Sequence, residues 1–222
     1  MINLSLVATV RPEILRQTID SFKKFVITKD KFYVSWNIDC TPKYDTYKID
    51  EMLKIVSNAF GDIHFFRITE KPNFANAVIT CWQHLHCNTS FTFHLEDDWI
   101  FIKPILLDSI INDLTQFNTN IKYVRFPKIG AAKLDKVALQ PSLWKTDTLK
   151  CLAYVMTSQK DPEKQLRFSG AETDKFLPTK TEILDWQCGP YCDDIGRAWA
   201  KTNGAIKWNK NNSKEITWTF QN

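Results

Sequence analysis

Three consecutive carboxylates, Glu96, Asp97 and Asp98, are the residues of this sequence best suited to chemistry. Adjacent negative charges repel one another unless solvent or a cation neutralises them. Mg²⁺ and Mn²⁺ bind carboxylate oxygens and keep coordination positions for phosphate oxygens and water. The triplet could instead be a solvated acidic turn or the cap of a following helix. Because it directly follows the apolar segment 90–95, we predict a metal site that would bridge a diphosphate leaving group.

The segments before the triplet predict the elements that must position it. Residues 2–9 are apolar on both faces, which indicates a central parallel strand. Strand and helix patterns then alternate, with strands predicted at 32–38, 63–68 and 90–95 and helices from Pro12, at about 48–60 and at 73–86. Such repeats form a parallel sheet, and ligands bind beyond the carboxyl ends of its strands. We therefore expect the functional residues in the loops at 9–13, 39–42, 69–73 and 96–99.

The second half of the chain has a less regular pattern. Pro104 is expected to open a helix, and another is predicted near 194–201. The remaining predicted elements are short strands at 122–126 and 143–145, loops at 128–142 and 157–170, and a hairpin of 205–209 with 215–220. Together with the first half, this predicts one α/β domain over residues 1–222.

Composition narrows the classes of protein. Hydrophobic residues make up 44% and charged residues 24% of the 222 residues, which are values typical of a globular domain rather than a disordered chain. The net charge of +4 is mild, and the basic residues are scattered, so binding to nucleic acid is not favoured. No basic leader and no stretch of about 20 apolar residues is visible. We expect a cytoplasmic protein with reduced cysteines and no membrane span.

A group of thiols and imidazoles, Cys81, His84, His86 and Cys87, has two interpretations. It could bind zinc, but no second ligand pair has the spacing of a zinc finger. The helical pattern of 73–86 instead places Cys81 on the buried face, where a free cysteine acts as a small apolar residue. We favour the core interpretation.

Four segments together resemble the GT-A fold glycosyltransferases, in particular the family 2-like group. They are Ala8–Pro12, Trp36–Asp39, Glu70–Ala77 and Phe93–Trp99. They are similar, in this order, to the family's nucleotide-holding loop, its second strand ending in an acid, its third-strand loop and its metal-binding acidic element. The similarity covers most of residues 4–100 and continues more thinly to about 205.

The resemblance implies a GT-A (Rossmann-like), mostly parallel sheet with helices on both faces, in which residues 1–100 bind the nucleotide-sugar and 101–222 the acceptor. It implies transfer of a sugar, with inversion, from a nucleotide-sugar donor such as a UDP-sugar to a hydroxyl of a glycan or other acceptor, with Mn²⁺ or Mg²⁺. It makes Asp98 the direct metal ligand, together with Glu96. The residues expected near the donor are Thr9, Arg11, Asp39, Lys71, Asn73, Asn76, Glu96, Asp97, Trp144 and Arg197.

An inverting transfer needs a carboxylate that takes the proton of the acceptor hydroxyl. In the resembled family this base lies in a short acidic segment that opens a helix, and the similar segment here is 168–174. We predict Glu172 as the base and Asp174 as the alternate, although an acid at a helix start also stabilises the helix dipole. Two donor-side residues have structural alternatives: Trp144 could be a core residue, and Arg197 could pair with Asp194 at i,i+3.

Other classes of protein give alternative hypotheses. A sugar-phosphate nucleotidyltransferase would carry a glycine-rich phosphate loop after the first strand, but the loop Thr9–Pro12 has no glycine and the first glycine is Gly61. A catalytically inactive nucleotide- or sugar-binding module of the same fold is a further alternative. A nucleic-acid acceptor would need a basic groove, for which the candidates are Lys122, Arg125, Lys128, Lys133, Lys136 and Lys145.

Overall fold

The computed structural model describes residues 1–40, 46–117, 119–130, 137–167, 172–186, 189–203, 205–209 and 216–220. Its strands are β1 (Ile2–Thr9), β2 (Val26–Ile27), β3 (Phe32–Asp39), β4 (Ile63–Thr69), β5 (Phe91–Glu96), β6 (Trp99–Phe101), β7 (Ile105–Leu106), β8 (Tyr123–Arg125), β9 (Ser142–Lys145), β10 (Ile183–Asp185), β11 (Cys192–Asp194), β12 (Ala205–Asn209) and β13 (Ile216–Phe220). Its α-helices are α1 (Pro12–Phe25), α2 (Thr46–Phe60), α3 (Phe74–Gln83), α4 (Leu107–Gln116), α5 (Thr146–Val155), α6 (Pro162–Arg167) and α7 (Gly196–Thr202). None of these helices is long and apolar enough to cross a membrane.

A mostly parallel sheet with the strand order β10-β8-β9-β5-β1-β3-β4 organises the described chain. β1 is an inner strand of this sheet and pairs in parallel with β3 and β5, as its apolar pattern predicted. β9 is the exception, since it runs antiparallel to both β5 and β8. The predicted α/β fold with a mostly parallel sheet is therefore confirmed.

Helices cover both faces of the sheet and give two apolar cores. On one face, Phe22 of α1 lies edge-on against the rings of Phe32, Phe60, Phe93 and Phe101. The core of the other face joins α3 and α5 to the sheet and is largely built from Val7, Ala77, Val78, Ile79, Cys81, Trp82, Leu85, Tyr123, Trp144, Leu149 and Leu152. These cores fix the orientation of the strands and hence of the loops at their carboxyl ends.

Two residues with open alternatives lie in the second core. Trp144 is fully buried beside Tyr123 and Trp82, and its indole N–H donates to Ser142 Oγ at 2.9 Å. It cannot reach a sugar from there, so the stacking interpretation is wrong and the core alternative holds. Cys81 is also fully buried; its thiol donates to the Leu6 carbonyl, and burial raises its pKa above the usual range of a thiol. This matches the core interpretation of Cys81.

The second half differs from its predicted pattern at several places. Helix α5 was not predicted, and α6 lies within the segment expected to be a loop. The helix expected from Pro104 starts at Leu107, because Ile105 and Leu106 pair in parallel with β2. The antiparallel pair of β6 and β11 was missed as well. In contrast, the predicted hairpin is confirmed as β12 with β13.

Candidate functional site

The segments at the carboxyl ends of β1, β3, β4 and β5 meet in a cleft at one edge of the sheet, as the sequence predicted. It is lined by Val7, Ala8, Thr9, Arg11, Asp39, Pro72, Phe74, Glu96, Asp97 and Asp98. The register explains why these loops meet, since Thr9 pairs with Asp39 and Val7 with Glu96 across adjacent strands. Four polar segments that are distant in sequence therefore share one cleft.

Asp97, the middle member of the acidic triplet, forms an ion pair with Arg11. Arg11 Nη2 lies 2.5 Å from Asp97 Oδ1, and Nε lies 3.2 Å from Oδ2. The Thr9 N–H also donates to Oδ2 at 3.1 Å, and Thr18 Oγ1 donates to the Asp97 carbonyl. Asp97 and Arg11 therefore hold the loops after β1 and β5 together, which sequence analysis did not foresee for these two donor-side candidates.

Burial and charge act against each other in this ion pair. The exposed fractions of the Arg11 and Asp97 side chains are only 2% and 4%. Burial opposes the charge of Arg11, but Asp97 and Asp98 raise its pKa above the usual range. Burial raises the pKa of Asp97 in turn, and Arg11 opposes that rise. The Arg11 guanidinium is therefore the counter-ion that the protein itself supplies to the acidic triplet.

Asp98 faces the cleft at the place where the second half of the chain closes on the first. Its Oδ2 lies 3.3 Å from Arg11 Nη2, and its carbonyl accepts the Ile195 N–H at 3.0 Å. Gly196 packs directly on the carboxylate, since a Cβ at position 196 would lie 2.1 Å from Asp98 Oδ2. A side chain at residue 196 would therefore displace Asp98, so the space beside this carboxylate admits only a glycine at this position.

The carboxylates fit a divalent cation that is shared with a substrate. Glu96, Asp97 and Asp98 all line the cleft, but the Asp97 carboxylate is bonded to Arg11. Over the described ranges, no three His, Cys, Asp or Glu side chains form a ligand group of their own. Mg²⁺ is usually held by one or two carboxylates, with phosphate oxygens and water completing its octahedron. Glu96 and Asp98 supply the two carboxylates that such a site needs.

Asp39 fastens the loop after β4 to the end of β3. Its Oδ2 accepts the Asn73 N–H and its Oδ1 the Asn37 amide N–H, both at 3.0 Å. Burial raises the pKa of Asp39 to about 6, although these two hydrogen bonds oppose the rise. Asp39 thus lines the cleft and also supports its wall.

The loop that Asp39 fastens leads into α3 through three of the predicted donor-side residues. The Asn73 side chain accepts the Asn76 N–H at 2.9 Å and so caps α3. Lys71 is exposed on the preceding turn. The Asn73 amide N–H also donates to the Ser158 carbonyl at 3.1 Å, so this side chain has structural partners at both of its ends.

Beyond Glu96 and Asp98 the cleft widens between β6, β11 and α6. This wider part is lined by Phe74, Glu96, Asp98, Trp99, Lys128, Gly130, Ala138, Leu139, Gln140, Asp161, Glu163, Arg167, Asp194, Gly196, Arg197 and Ala200. Arg197 pairs with Asp194 at 3.3 Å, as the i,i+3 alternative predicted, but Asp194 lies on β11 rather than on the same helix. The Arg197 side chain is 83% exposed. Sequence analysis missed Gln140, Asp161 and Glu163, because it placed them in loops without partners.

The alternate predicted base, Asp174, is not among the described residues that line either part of the cleft. Residues 172–175 form a short 3₁₀ turn that packs against α5 and α6, and Asp174 is exposed there. Residues 168–171 and the side chain of Glu172 lie outside the described part of the structure. The assignment of Glu172 or Asp174 as the base stays a prediction.

Comparison with known proteins gives structural matches only. No family model and no curated protein matches the sequence. S. aureus TarS 1–349 superimposes with a TM-score of 0.60 at 11% identity, over 87% of this chain and 60% of TarS 1–349. The mannosyltransferase PcManGT from Pyrobaculum calidifontis, solved with GDP-Man and Mn²⁺, gives 0.59 at 10%, over 86% of this chain and 56% of PcManGT. A cytidylyltransferase from Leptospira borgpetersenii gives only 0.44 at 11%, over 86% of this chain and 78% of its own.

The protein therefore has a GT-A-like fold, as the resemblance implied. The chain spans about 60% of TarS 1–349 and 56% of PcManGT. At 10–11% identity these matches establish the fold of the chain and not its activity.

Proposed function

We propose that this protein is a metal-dependent glycosyltransferase that moves a sugar from a nucleotide-sugar, in particular a UDP-sugar, to an acceptor hydroxyl with inversion. The main support is the position of Glu96 and Asp98, which line both the strand-end cleft and its wider continuation. A diphosphate held there would direct its nucleoside to one side and its sugar to the other. Consistent with this, PcManGT has been solved with GDP-Man and Mn²⁺, and TarS with UDP and with UDP-GlcNAc.

In the proposed complex the nucleoside occupies the narrow part of the cleft, beside Thr9 and Asp39. The carboxylate of Asp39 is held by two N–H donors and is suited to accept a hydrogen bond from the ribose or base. The Arg11–Asp97 ion pair supports the loop from below. Arg11 then acts on the donor chiefly by fixing Asp97 and Asp98, rather than as a free cation.

Asp98, with Glu96, is suited to hold Mn²⁺ or Mg²⁺ at the diphosphate. When bound, such an ion neutralises the charge that develops on the departing diphosphate. The exposed Arg197 lines the same part of the cleft, and its guanidinium matches phosphate oxygens. A carboxylate must also take the proton of the acceptor hydroxyl. We propose Glu172 as this base and test it against Asp161, because Asp161 lines the wide part of the cleft.

A ligand screen tests this function. We expect thermal stabilisation by a nucleoside diphosphate and its nucleotide-sugar that depends on Mn²⁺ or Mg²⁺. Asp98→Ala should lose the metal-dependent part, whereas Asp113→Ala, a change of an exposed acid on α4, should keep it. Labelled sugar should then pass to an acceptor or to water.

Three outcomes would replace the proposal. Binding without any sugar transfer or hydrolysis would favour an inactive module of the same fold. Formation of a nucleotide-sugar from a sugar phosphate and a nucleoside triphosphate would make the protein a nucleotidyltransferase. Label transfer to DNA or RNA would establish a nucleic-acid acceptor. That acceptor is not favoured, because Lys122 and Lys128 are paired with acids and Arg125 is buried against Asp185.

A further inference from the structure

Gln140 is a buried amide in the wall of the wide part of the cleft, and neither the metal nor the nucleoside contacts proposed above use it. Only 6% of the residue is exposed, and it lines the same cleft as Glu96 and Asp98. Its Nε2 donates to the Phe126 carbonyl at 2.9 Å. Because only the NH₂ group of an amide can donate to a carbonyl, this contact fixes which end of the side chain is the oxygen. Within the described residues that oxygen has no hydrogen-bond partner.

The backbone around Gln140 is held as firmly as its side chain. Its carbonyl accepts the Ser142 hydroxyl at 2.8 Å, and the same hydroxyl oxygen accepts the Trp144 indole N–H at 2.9 Å. The next carbonyl, that of Pro141, accepts the Phe126 N–H at 3.2 Å. Gln140 is thus anchored to β8 and β9, and its amide oxygen is positioned before any ligand arrives.

The wide part of the cleft places Gln140 on the side of the proposed donor that carries the sugar. Gln140 lines this part together with Glu96 and Asp98, the carboxylates assigned to the metal and diphosphate. The narrow part, assigned to the nucleoside, is lined by other described residues and not by Gln140.

The amide oxygen of Gln140 is only an acceptor, and the Phe126 carbonyl takes one of the two N–H groups of the same amide. A phosphate oxygen is also an acceptor and cannot bond to the amide oxygen, whereas a sugar hydroxyl has an O–H to donate to it. We propose that Gln140 accepts a hydrogen bond from a hydroxyl of the donor sugar and so helps to select that sugar. This inference rests on the proposed function and names a specificity residue for it.

The test compares a nucleotide with its sugar derivative. Calorimetry with Mn²⁺ would measure the Kd of UDP, GDP, UDP-glucose, UDP-GlcNAc and GDP-mannose for the wild type and for Gln140→Met, which keeps side-chain length but removes the amide. For the pair that the wild type binds, we expect about 10-fold weaker binding of the nucleotide-sugar, the loss of one net hydrogen bond, and unchanged binding of the bare diphosphate.

Two controls separate recognition from folding. Gln165→Met removes another buried amide, one that bonds to Thr157 and Lys160 and does not line the cleft, and it should change neither Kd. If Gln140→Met does not fold, Gln140→Asn replaces it, because it retains an amide but withdraws the oxygen by one methylene. Deoxy analogues of the bound sugar add a second measure: the analogue lacking the recognised hydroxyl should lose affinity in the wild type and not in the variant.

The outcomes distinguish this inference from the function on which it rests. Equal Kd values of the nucleotide-sugar for the wild type and the folded Gln140 variant would refute the role of Gln140 and leave the transferase proposal intact. A parallel loss of bare diphosphate and nucleotide-sugar would likewise refute sugar recognition. Failure of the wild type to bind any of the five nucleotides would overturn both.

Discussion

Replacing Arg11 by Met tests whether the guanidinium is a structural counter-ion of the acidic triplet. Met removes the positive charge and so leaves Asp97 and Asp98 without their counter-ion, while the side chain at position 11 keeps most of its volume. In the wild type Arg11 makes two contacts to the Asp97 carboxylate and one to Asp98, at 2.5, 3.2 and 3.3 Å. The variant must therefore either bury an uncompensated Asp97 or protonate it.

The expected cost follows from burial. Both side chains of the pair are at least 96% inaccessible to solvent, and removing one partner of such a pair typically costs about 3–5 kcal/mol. The control is Arg16→Met, because Arg16 lies on α1, which starts directly after Arg11, and pairs with Glu51 at 2.8 Å with 52% and 41% of the two side chains exposed. An exposed pair of this kind contributes about 0–1 kcal/mol.

Urea unfolding at pH 7 would measure both variants, and the double variant Arg11→Met/Asp97→Asn would complete a cycle. We expect the double variant to be more stable than the sum of its single changes predicts, by about 1–3 kcal/mol, because the second change removes the stranded charge. A midpoint for Arg11→Met equal to that of Arg16→Met would contradict the reasoning. If Arg11→Met instead weakened nucleotide binding and left stability unchanged, the result would indicate that Arg11 contacts the donor phosphate directly.

Three further changes test other parts of the site. Gly196→Ala should weaken Mn²⁺-dependent nucleotide binding, because its Cβ would displace Asp98; helix propensity alone favours Ala by about 1 kcal/mol, so unaltered binding would refute the contact. Burial raises the pKa of Asp39 from 3.8 to about 6 in the folded state, so the contribution of Asp39 to stability falls as the pH rises. In urea titrations the free energy of unfolding of the wild type, relative to that of Asp39→Asn, should fall by about 1 kcal/mol between pH 5 and pH 8. Parallel curves for the two proteins would exclude the pKa shift. Glu172→Gln should keep donor binding and lose transfer, while Asp161→Asn keeps both; the reverse result would move the base to Asp161.

The first half of the fold was accessible from sequence because its signals are local. The apolar run of β1, the proline that opens α1 and the Asn73 cap of α3 are each visible within a few residues. Their order implied a parallel sheet, and a parallel sheet places its strand ends at one edge. The meeting of Thr9, Asp39 and Asp98 followed from that geometry.

The second half depends on pairings that no local pattern encodes. β6 and β11 have three residues each, and their pairing joins positions about 90 residues apart. Gln140 showed no signal of its own, since a glutamine in a polar loop is ordinary until Phe126 is known to hold it. Helix α5 did carry a detectable signal, because Leu149, Leu152 and Ala153 repeat at helical spacing and are buried.

The pairing of β6 with β11 explains how a short acidic turn becomes a defined site. It aligns Asp194 with Trp99, so that the chain leaving β11 passes directly over Asp98. Gly196 then lies on the Asp98 carboxylate, and Trp199 of the same helix lies 5.1 Å from the Arg11 guanidinium. The triplet is thereby divided: Asp97 is bound by Arg11 inside the protein, and Asp98 is held between Arg11 and Gly196 at the surface of the cleft. Substitutions in α7 should therefore affect the acidic turn although the two are separated by about 100 residues of sequence.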